Sequence, residues 1–265
     1  MTGIAVLGLG EAGATLAAGL VAAGYAVAAF DPAAPDTPAG VERRDDPASA
    51  VAGADLVLAV TPASAAATAL ESALAALRDG AIYADLSTSS PAVKRGLAVT
   101  AAAAAGVGFV DVALMAPVPA HGLCTPALAA GGAAQAFAAT MRPLGMPVEV
   151  VGPEPGQAAT RKLLRSVVMK GLAQLLIEAL TAAEAAGVRD ETWANLVAQL
   201  TSVDEELVDR LVTATERHAP RRLEEMEATI ELLGDLGVDA TMSAATAERL
   251  SRQAGRGAPS PGAPR

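Results

Sequence analysis

Cysteine and aromatic residues are scarce in this sequence. It contains one cysteine, Cys124, and aromatic residues make up 2% of it, although 52% of its residues are hydrophobic. A single cysteine excludes an intrachain disulfide and a cysteine-based zinc cluster, and it agrees with a reducing compartment. With so few aromatics, the core must be built from Ala, Val, Leu and Ile, which suits helices and buried parallel strands.

Long hydrophobic runs and excess positive charge are also missing. The apolar run at residues 4–9 is too short for a signal-peptide core or a membrane span, and no basic segment precedes it. The net charge of −10 argues against nucleic acid and anionic membranes as partners. We therefore expect a cytoplasmic protein with no nucleic-acid, membrane or metal partner.

The first part of the chain alternates short apolar runs with alanine-rich helical segments. The predicted strands are 3–9, 25–30, 55–60, 80–85 and 107–112, and the predicted helices are 12–23, 64–77 and 91–105. This alternation predicts an α/β fold with a doubly wound parallel sheet, a Rossmann domain over residues 1–152.

The pattern changes after the breaker cluster GPEPG at 152–156. A long helix is predicted over about 157–186, ending at Gly187, and it is followed by helices at about 190–201, 203–217, 220–235 and 240–251. We expect an all-α C-terminal domain over 153–251 and a disordered Pro/Gly-rich tail over 252–265. A helix of this length spans roughly 45 Å, so we predict a homodimer formed through the long helix and the helical domain.

A glycine-rich motif directly follows the first predicted strand and opens a helix. It reads GxGxxG and consists of Gly8, Leu9, Gly10, Glu11, Ala12 and Gly13. In this context Gly8 allows a tight turn, Gly10 lets the backbone approach a pyrophosphate, and Gly13 lets helix and strand pack closely. The N–H groups at the start of the helix would bind the phosphates. The motif therefore predicts a dinucleotide site.

An acidic residue ends the second predicted strand. Asp31 follows Gly13 by 18 residues, where a carboxylate accepts hydrogen bonds from the adenosine ribose and repels a 2′-phosphate. No arginine follows closely, since the next residues are Pro32 and Ala33. We predict NAD as the cofactor, with NADP disfavoured. The alternative is that the glycines only form a strand–helix turn and Asp31 is a loop carboxylate.

Three further segments carry a family resemblance. They are VTPA at 60–63 with Thr61 and Pro62, DLSTSSP at 85–91 with Ser87 and Thr88, and Lys162 placed sixteen residues before Glu178. Through these segments the chain resembles the β-hydroxyacid dehydrogenases, which include 3-hydroxyisobutyrate and 6-phosphogluconate dehydrogenases. The resemblance extends to about residue 250. The closest likeness is to the phosphogluconate-dehydrogenase-like, NAD-binding branch. The resemblance implies that the first two segments line the cofactor and that Lys162 is catalytic.

Two departures from the family pattern concern the substrate. The family's D-x-P-V-S-G-G loop is replaced by DVALMAP at 111–117, which includes Met115, and its Lys-x-x-Asn-Asn pattern by KLLRS at 162–166. The substrate need not be a standard 3-hydroxyacid. Imine reductases resemble this family in fold but replace its lysine, so the retained Lys162 favours alcohol or carbonyl chemistry.

The long helix carries a polar row on an otherwise apolar surface. Lys162, Ser166, Lys170 and Gln174 recur at every fourth position. We hypothesise that Lys162 exchanges a proton with the substrate oxygen while Ser166 orients that oxygen. Lys170 would supply the cation that lowers the pKa of Lys162. The alternative is a solvated helix edge.

Four residues are predicted to contact substrate: Met115, His121, His218 and Arg222. The last two belong to the densest positive cluster, around Pro220, and suit a carboxylate or phosphate. The alternatives are an ordinary loop histidine at His121, and helix-terminal cations that pair with Glu224 and Glu225.

The sequence as a whole predicts an NAD-dependent oxidoreductase. It would transfer a hydride between nicotinamide and a small, anionic hydroxy or carbonyl substrate. An imine or ketone reductase of the same fold is one alternative. A catalytically inactive NAD-binding sensor or scaffold is another.

Overall fold

The structure is a computed structural model that describes residues 3–104 and 106–257. Its contacts divide the chain into two units, one ending at Arg165 and the other beginning at Ser166. The predicted boundary at residue 152 coincides with the end of the last strand. The division of contacts falls further on, within the long helix.

The first unit contains one eight-stranded sheet. Its strands are β1 Ile4–Leu7, β2 Val27–Phe30, β3 Val41–Arg43, β4 Leu56–Ala59, β5 Ile82–Asp85, β6 Gly108–Leu114, β7 Ala127–Ala130 and β8 Val148–Gly152. Their order is β3-β2-β1-β4-β5-β6-β7-β8. Every neighbouring pair is parallel except β6 and β7, which are antiparallel. The predicted doubly wound sheet is confirmed, with one antiparallel junction.

Helices of this unit cover both faces of the sheet. They are α1 Glu11–Ala22, α2 Pro47–Val51, α3 Ala66–Ala73, α4 Pro91–Ala102, α5 Val118–His121, α6 Ala134–Met141 and the first turns of α7 Gln157–Ala185. Successive strand residues point to opposite faces. In β1, Ile4 and Val6 belong to one buried cluster while Ala5 and Leu7 belong to the other. This is why β1 and β4 read as continuous apolar runs.

The strand order reverses between β1 and β4, and ligands of doubly wound sheets bind at such a point. The register aligns the carboxyl ends of the strands, because Leu7 pairs with Phe30 and with Ala59. Ala59 pairs in turn with Asp85, which pairs with Asp111. The residues that follow each strand therefore meet at one edge of the sheet.

In the second unit, residues 166–257 form helices joined by short connections and no strand, in agreement with the predicted fold class. It contains the remainder of α7, α8 Arg189–Thr201, α9 Glu205–Arg217, α10 Ala219–Asp235 and α11 Thr241–Gly257. Gly187, with a φ of +73°, ends α7 as predicted. Glu178 of α7 caps α11 by accepting hydrogen bonds from the N–H groups of Met242 and Ser243.

The structure corrects several secondary-structure predictions. It adds β3, β7, β8, α2, α5 and α6, which the sequence reading did not contain. Helix α11 continues to Gly257, so residues 252–257 are helical and not part of the predicted tail. The rest of that tail lies outside the described residues. Within the part that is described, no helix is both long and apolar enough to span a bilayer.

Candidate functional site

The glycine loop after β1 has the geometry that its motif predicts. Gly8 has a φ of +98°, and a Cβ there would lie 2.5 Å from the carbonyl oxygen of Val60. A Cβ on Gly13 would lie 1.9 Å from the carbonyl oxygen of Gly8. Both positions therefore require glycine, one for its backbone conformation and the other for the contact between helix and turn.

Gly10 differs from the other two glycines because its Cβ direction is open. A Cβ at this position would meet no heavy atom within 4 Å. Gly10 is also the N-cap residue of α1, which has no side-chain cap. The start of a twelve-residue helix thus faces open space with its backbone exposed. That arrangement fits a bound phosphate, which helix N-termini attract through their N–H groups and dipole.

Asp31 is held in place by the backbone around it. Its Oδ2 accepts a hydrogen bond from the N–H of Leu9 at 2.6 Å, and its Oδ1 accepts from Ala33 and Ala34 at 2.7 and 2.9 Å. A carboxylate offers about four acceptor positions, so these bonds leave room for about one ribose hydroxyl. The side chain also ties the glycine loop to the end of β2.

The charge state of Asp31 follows from these contacts. Partial burial by itself raises the pKa of the Asp31 carboxyl. Hydrogen bonds from Ala33, Leu9 and Ala34, together with the charge of Arg43, outweigh burial and hold the pKa below its ordinary value. Asp31 is therefore an anion throughout the neutral range.

An arginine lies beside Asp31, contrary to the reading that none is close. Parallel pairing of β2 with β3 aligns Ala29 with Arg43. The Arg43 guanidinium donates to the carbonyl oxygen of Asp31 at 2.8 Å and to Thr37 at 3.2 Å. The sequence reading missed it because β3, a three-residue strand, was not recognised. Because the Asp31 carboxylate and the Arg43 guanidinium lie side by side here, the preference for NAD over NADP stays a prediction.

One cavity of about 940 Å³ opens along the carboxyl edge of the sheet, entirely within the first unit. Its walls include most of the predicted cofactor residues. These are Gly8, Gly10, Glu11, Ala12, Gly13, Asp31, Thr61, Pro62, Ser87 and Thr88. Leu9 is buried and contributes its N–H to Asp31 instead. The side of α3 that faces the cavity adds Thr68, Ala69 and Ser72, which the sequence did not single out.

Lys162 lines the same cavity. It lies one turn into α7, whose first residues pack in the first unit. Among the described residues of this lining, Lys162 is the only lysine or arginine. The part of the lining that comes from the end of β6 and the segment after it is apolar, formed by Leu114, Ala116 and Val118.

The other predicted catalytic and substrate residues are not part of this lining. Ser166 and Lys170 lie further along α7, in the second unit. Met115 lines a different cavity of about 650 Å³ beside β8. His121 is exposed at the end of α5. His218 joins α9 to α10, and Arg222 donates to Thr215 within the second unit.

The cations around Pro220 behave largely as the alternative reading expects. Arg221 forms an exposed ion pair with Glu225, and His218 closes helix α9. These are helix-terminal contacts within the second unit. Their predicted role in substrate binding remains a prediction.

A charged cluster that the sequence reading missed lies buried beneath the 85–91 turn that follows β5. Lys94 of α4 is 0% exposed, and its Nζ lies 2.9 Å from Oδ2 of Asp85 and 3.3 Å from Oδ1 of Asp111. The longer contact is an ion pair without hydrogen-bond geometry. The Nζ also donates to the carbonyl oxygen of Asp85 at 2.7 Å.

Helical spacing could have revealed this lysine. Lys94, Leu97 and Ala101 are the buried residues of α4, and their spacing of three and four marks one helix face. A lysine on the apolar face of a helix between two strands needs anionic partners. Asp85, which ends β5, and Asp111, in the middle of β6, provide them.

These observations define the first unit as a Rossmann domain with a built dinucleotide cleft. Residues 3–146 match the family model described as "NAD binding domain of 6-phosphogluconate dehydrogenase". The match spans more than half of the chain, and the chain therefore belongs to this family, as its resemblance predicted. Residues 183–253 match a model described as a domain of unknown function (DUF1932).

Solved structures agree with this placement. The chain is 35% identical to a conserved hypothetical protein from Sinorhizobium meliloti 1021, over 95% of this chain and 88% of that one, with a TM-score of 0.61. It is 27% identical to a conserved protein of unknown function whose structure is described as similar to 3-hydroxyacid dehydrogenases. That match covers 97% and 100% of the two chains, with a TM-score of 0.60.

The fold extends to a more distant enzyme class. An imine reductase from Streptomyces aurantiacus is 22% identical, with 97% and 96% of the two chains covered and a TM-score of 0.84. At this identity the likeness shows the fold alone.

An uncharacterised 28.5 kDa protein of Methanothermus fervidus is 35% identical over 82 residues, which are 33% of that protein. The family match thus shows an NAD(P)-binding domain, and one of the similar solved structures is itself described as similar to 3-hydroxyacid dehydrogenases.

Proposed function

We propose that the protein is an NAD-dependent oxidoreductase that interconverts a small anionic hydroxy compound and its carbonyl form. The observation that supports this most is the position of Lys162. It lines the same cavity as the glycine loop and the Ser87–Thr88 turn. Lys162, which can exchange a proton, therefore lies in the same cavity as the residues proposed to bind the dinucleotide.

The cofactor would be held by groups already in place. The N–H groups at the start of α1 would bind its pyrophosphate, and Asp31 would accept a ribose hydroxyl. Thr61 and Ser87, which follow neighbouring strands, would line its nicotinamide end. Bound NAD supplies the ring carbon that accepts the hydride in oxidation and returns it in reduction.

Lys162 would handle the proton of the same reaction. Its neutral amine would accept the proton of the substrate hydroxyl while the C–H hydride leaves and the carbonyl forms. In reduction its ammonium would return that proton to the oxygen. In its ammonium form it would also attract an anionic substrate, because it is the only lysine or arginine among the described lining residues.

The test combines binding with turnover. NADH and NADPH are titrated by fluorescence, and hydroxyacids, aldehydes and imines are then screened for turnover. Lys162→Ala should retain NADH binding and lose about 10²–10⁴-fold in kcat. Arg161→Ala is the matched control, because Arg161 is the exposed neighbour on α7. Unchanged turnover in Lys162→Ala would refute the assignment.

A second candidate is reduction of an imine or a ketone that lacks a carboxylate. It is favoured by the apolar wall of Leu114, Ala116 and Val118, where the family's serine and glycines are missing. Turnover of uncharged imines or ketones, with none of hydroxyacids, would select it. NADH binding without any turnover would instead favour a sensor or scaffold.

A second copy of the chain is the partner that we propose for the helical unit. Helix α7 exposes Val167, Val168 and Ile177 at 71%, 65% and 56%. Apolar side chains this exposed along one helix mark an interaction surface, and soluble oligomers are mostly symmetric homodimers. Sedimentation equilibrium should give twice the mass of the chain. A monomer at all concentrations would contradict this.

A further inference from the structure

The Lys94 cluster joins the two sides of the cavity through buried contacts. On one side, Asp85 accepts hydrogen bonds from the N–H and the hydroxyl of Ser87 at 3.2 and 2.9 Å. The Ser87 hydroxyl lies 2.7 Å from that of Ser89. Asp85 therefore shapes the turn that carries Ser87 and Thr88 into the cavity.

On the other side, Asp111 fixes the beginning of α7. Its Oδ2 accepts hydrogen bonds from the N–H groups of Gly156, Ala158 and Ala159 at 2.9, 3.1 and 3.0 Å. This carboxylate caps the helix and complements its dipole. Lys162 lies about one turn further along the same helix.

Stability alone does not explain such a cluster. Ion pairs buried this deeply lose most of their Coulomb energy to desolvation, and a well-packed apolar replacement is often as stable. What the cluster supplies is geometry, because Lys94 holds two carboxylates of adjacent strands at fixed distances. Each carboxylate then orders a different wall of the cavity.

We infer that Lys94 is a positioning residue that sets the spacing between the Ser87–Thr88 turn and Lys162. The inference rests on the proposed function, in which these walls face the same reacting atoms. Removing the ammonium would leave Asp85 and Asp111 as repelling neighbours. The turn and the first turn of α7 would then shift relative to each other.

The three lysines of this chain allow a direct test. Lys94, Lys162 and Lys170 are the only lysines in the sequence, so protein labelled with [ε-¹³C]lysine gives three side-chain signals. Lys162→Arg and Lys94→Met assign two of them. In Lys94→Met the Lys162 signal should move, and its response to NADH should shrink, while the Lys170 signal stays in place.

Kinetics supply the second measurement once a substrate is known. Lys94→Met should lower kcat by about 100-fold, the loss expected when a reacting group is displaced by roughly 1 Å. The Kd for NADH should change far less, since the glycine loop and Asp31 are not in the cluster. A purely structural Lys94 would lower the melting temperature and leave the Lys162 signal unchanged, which would overturn the inference.

Two further variants keep the test decisive if Lys94→Met does not fold. Asp111→Asn retains an oxygen that accepts from the helix N–H groups but removes the ion pair, and it should move the Lys162 signal in the same way. Arg95→Met, at an exposed neighbouring position of α4, should move nothing. If the Lys162 signal moves as expected but the wild-type protein turns over none of the substrates, the proposed function is refuted. The coupling between Lys94 and Lys162 is then still established.

Discussion

The two units of this chain bury their apolar residues to very different degrees. The sheet of the first unit is covered on both faces, and Val6, Leu58 and Val110 are fully buried. Among the residues of the second unit whose burial is described, the buried hydrophobic ones are few, namely Ala182, Ala183, Ala219, Leu233, Ala247 and Leu250. Large apolar side chains of α7, α8 and α9 are exposed there, among them Trp193 and Leu211 at 52% each.

The difference agrees with the two tasks that we propose for the units, cofactor binding and association. The first unit completes its own core and contains the whole cavity, including Lys162. The second unit presents surface of the kind that association covers. Changes in the first unit should therefore affect cofactor binding, and changes on α7 beyond Arg165 should affect assembly.

The largest effect is expected at Gly13, inside the first unit. A Cβ there would meet the carbonyl oxygen of Gly8 at 1.9 Å, so Gly13→Ala should cost about 3 kcal/mol and abolish NADH binding. Gly10→Ala is the matched control, because its Cβ meets open space. It should keep the melting temperature and lose only NADH affinity. Equal melting temperatures for both variants would contradict this geometry.

The next effect concerns the second unit. Val168→Asp should weaken dimerisation by about 2 kcal/mol, or roughly 30-fold in the dimer dissociation constant, because a charge would be buried in an apolar interface. Analytical ultracentrifugation measures it. Val99→Asp places the same change on an exposed valine of the first unit and should leave association unaltered. If both variants dissociate the dimer, the two units do not divide their tasks as described.

Replacing Tyr83 with phenylalanine should increase the stability of the protein. Its hydroxyl is buried, with no hydrogen-bond partner among the described residues, and burial raises the pKa of this phenol far above its usual range. Tyr83→Phe should raise the free energy of unfolding by about 1 kcal/mol, since stacking on Phe109 is kept. Tyr25→Phe, the other tyrosine of the chain, is the comparison in urea denaturation. A destabilised Tyr83→Phe would reveal a role for this hydroxyl.

The smallest effect is electrostatic and depends on pH. The pKa of Asp31 is lower in the folded protein than in the unfolded chain, so its ionised form stabilises the fold at neutral pH. Asp31→Asn should remove this contribution. The difference between wild type and variant should be full above about pH 4, the ordinary range of aspartate, and disappear as pH falls through the lowered pKa. A difference that is constant down to pH 2 would argue against it.

The sequence predicted the elements whose apolar runs are long and uninterrupted. β1 and β4 are such runs, β6 is one apart from Asp111, and α7 matches its prediction of 157–186 to within one residue at its end. The strands that were missed lack this signal. β3 has three residues, of which two are charged, and β7 reads ALAA, a composition that favours helix until tertiary pairing overrides it.

The site was predictable where a local motif determines geometry. Gly8, Gly13 and Asp31 lie where their spacing placed them, because a strand–turn–helix fixes all three relative positions. Helical spacing could mark Lys94 as buried, but neither Lys94 nor Arg43 could be placed beside its partners in this way. Their partners are brought to them by strand pairing and by the packing of α4, which no local spacing encodes.

The hydrogen bonds of Asp111 have a consequence for dissecting the chain. Its three N–H donors belong to Gly156, Ala158 and Ala159, beyond the last strand of the sheet. A recombinant fragment that stops at residue 152 would retain the carboxylate and lose every one of these donors. A nascent chain is in the same state until these residues leave the ribosomal tunnel. The shortest autonomous nucleotide-binding fragment should therefore extend through Arg165.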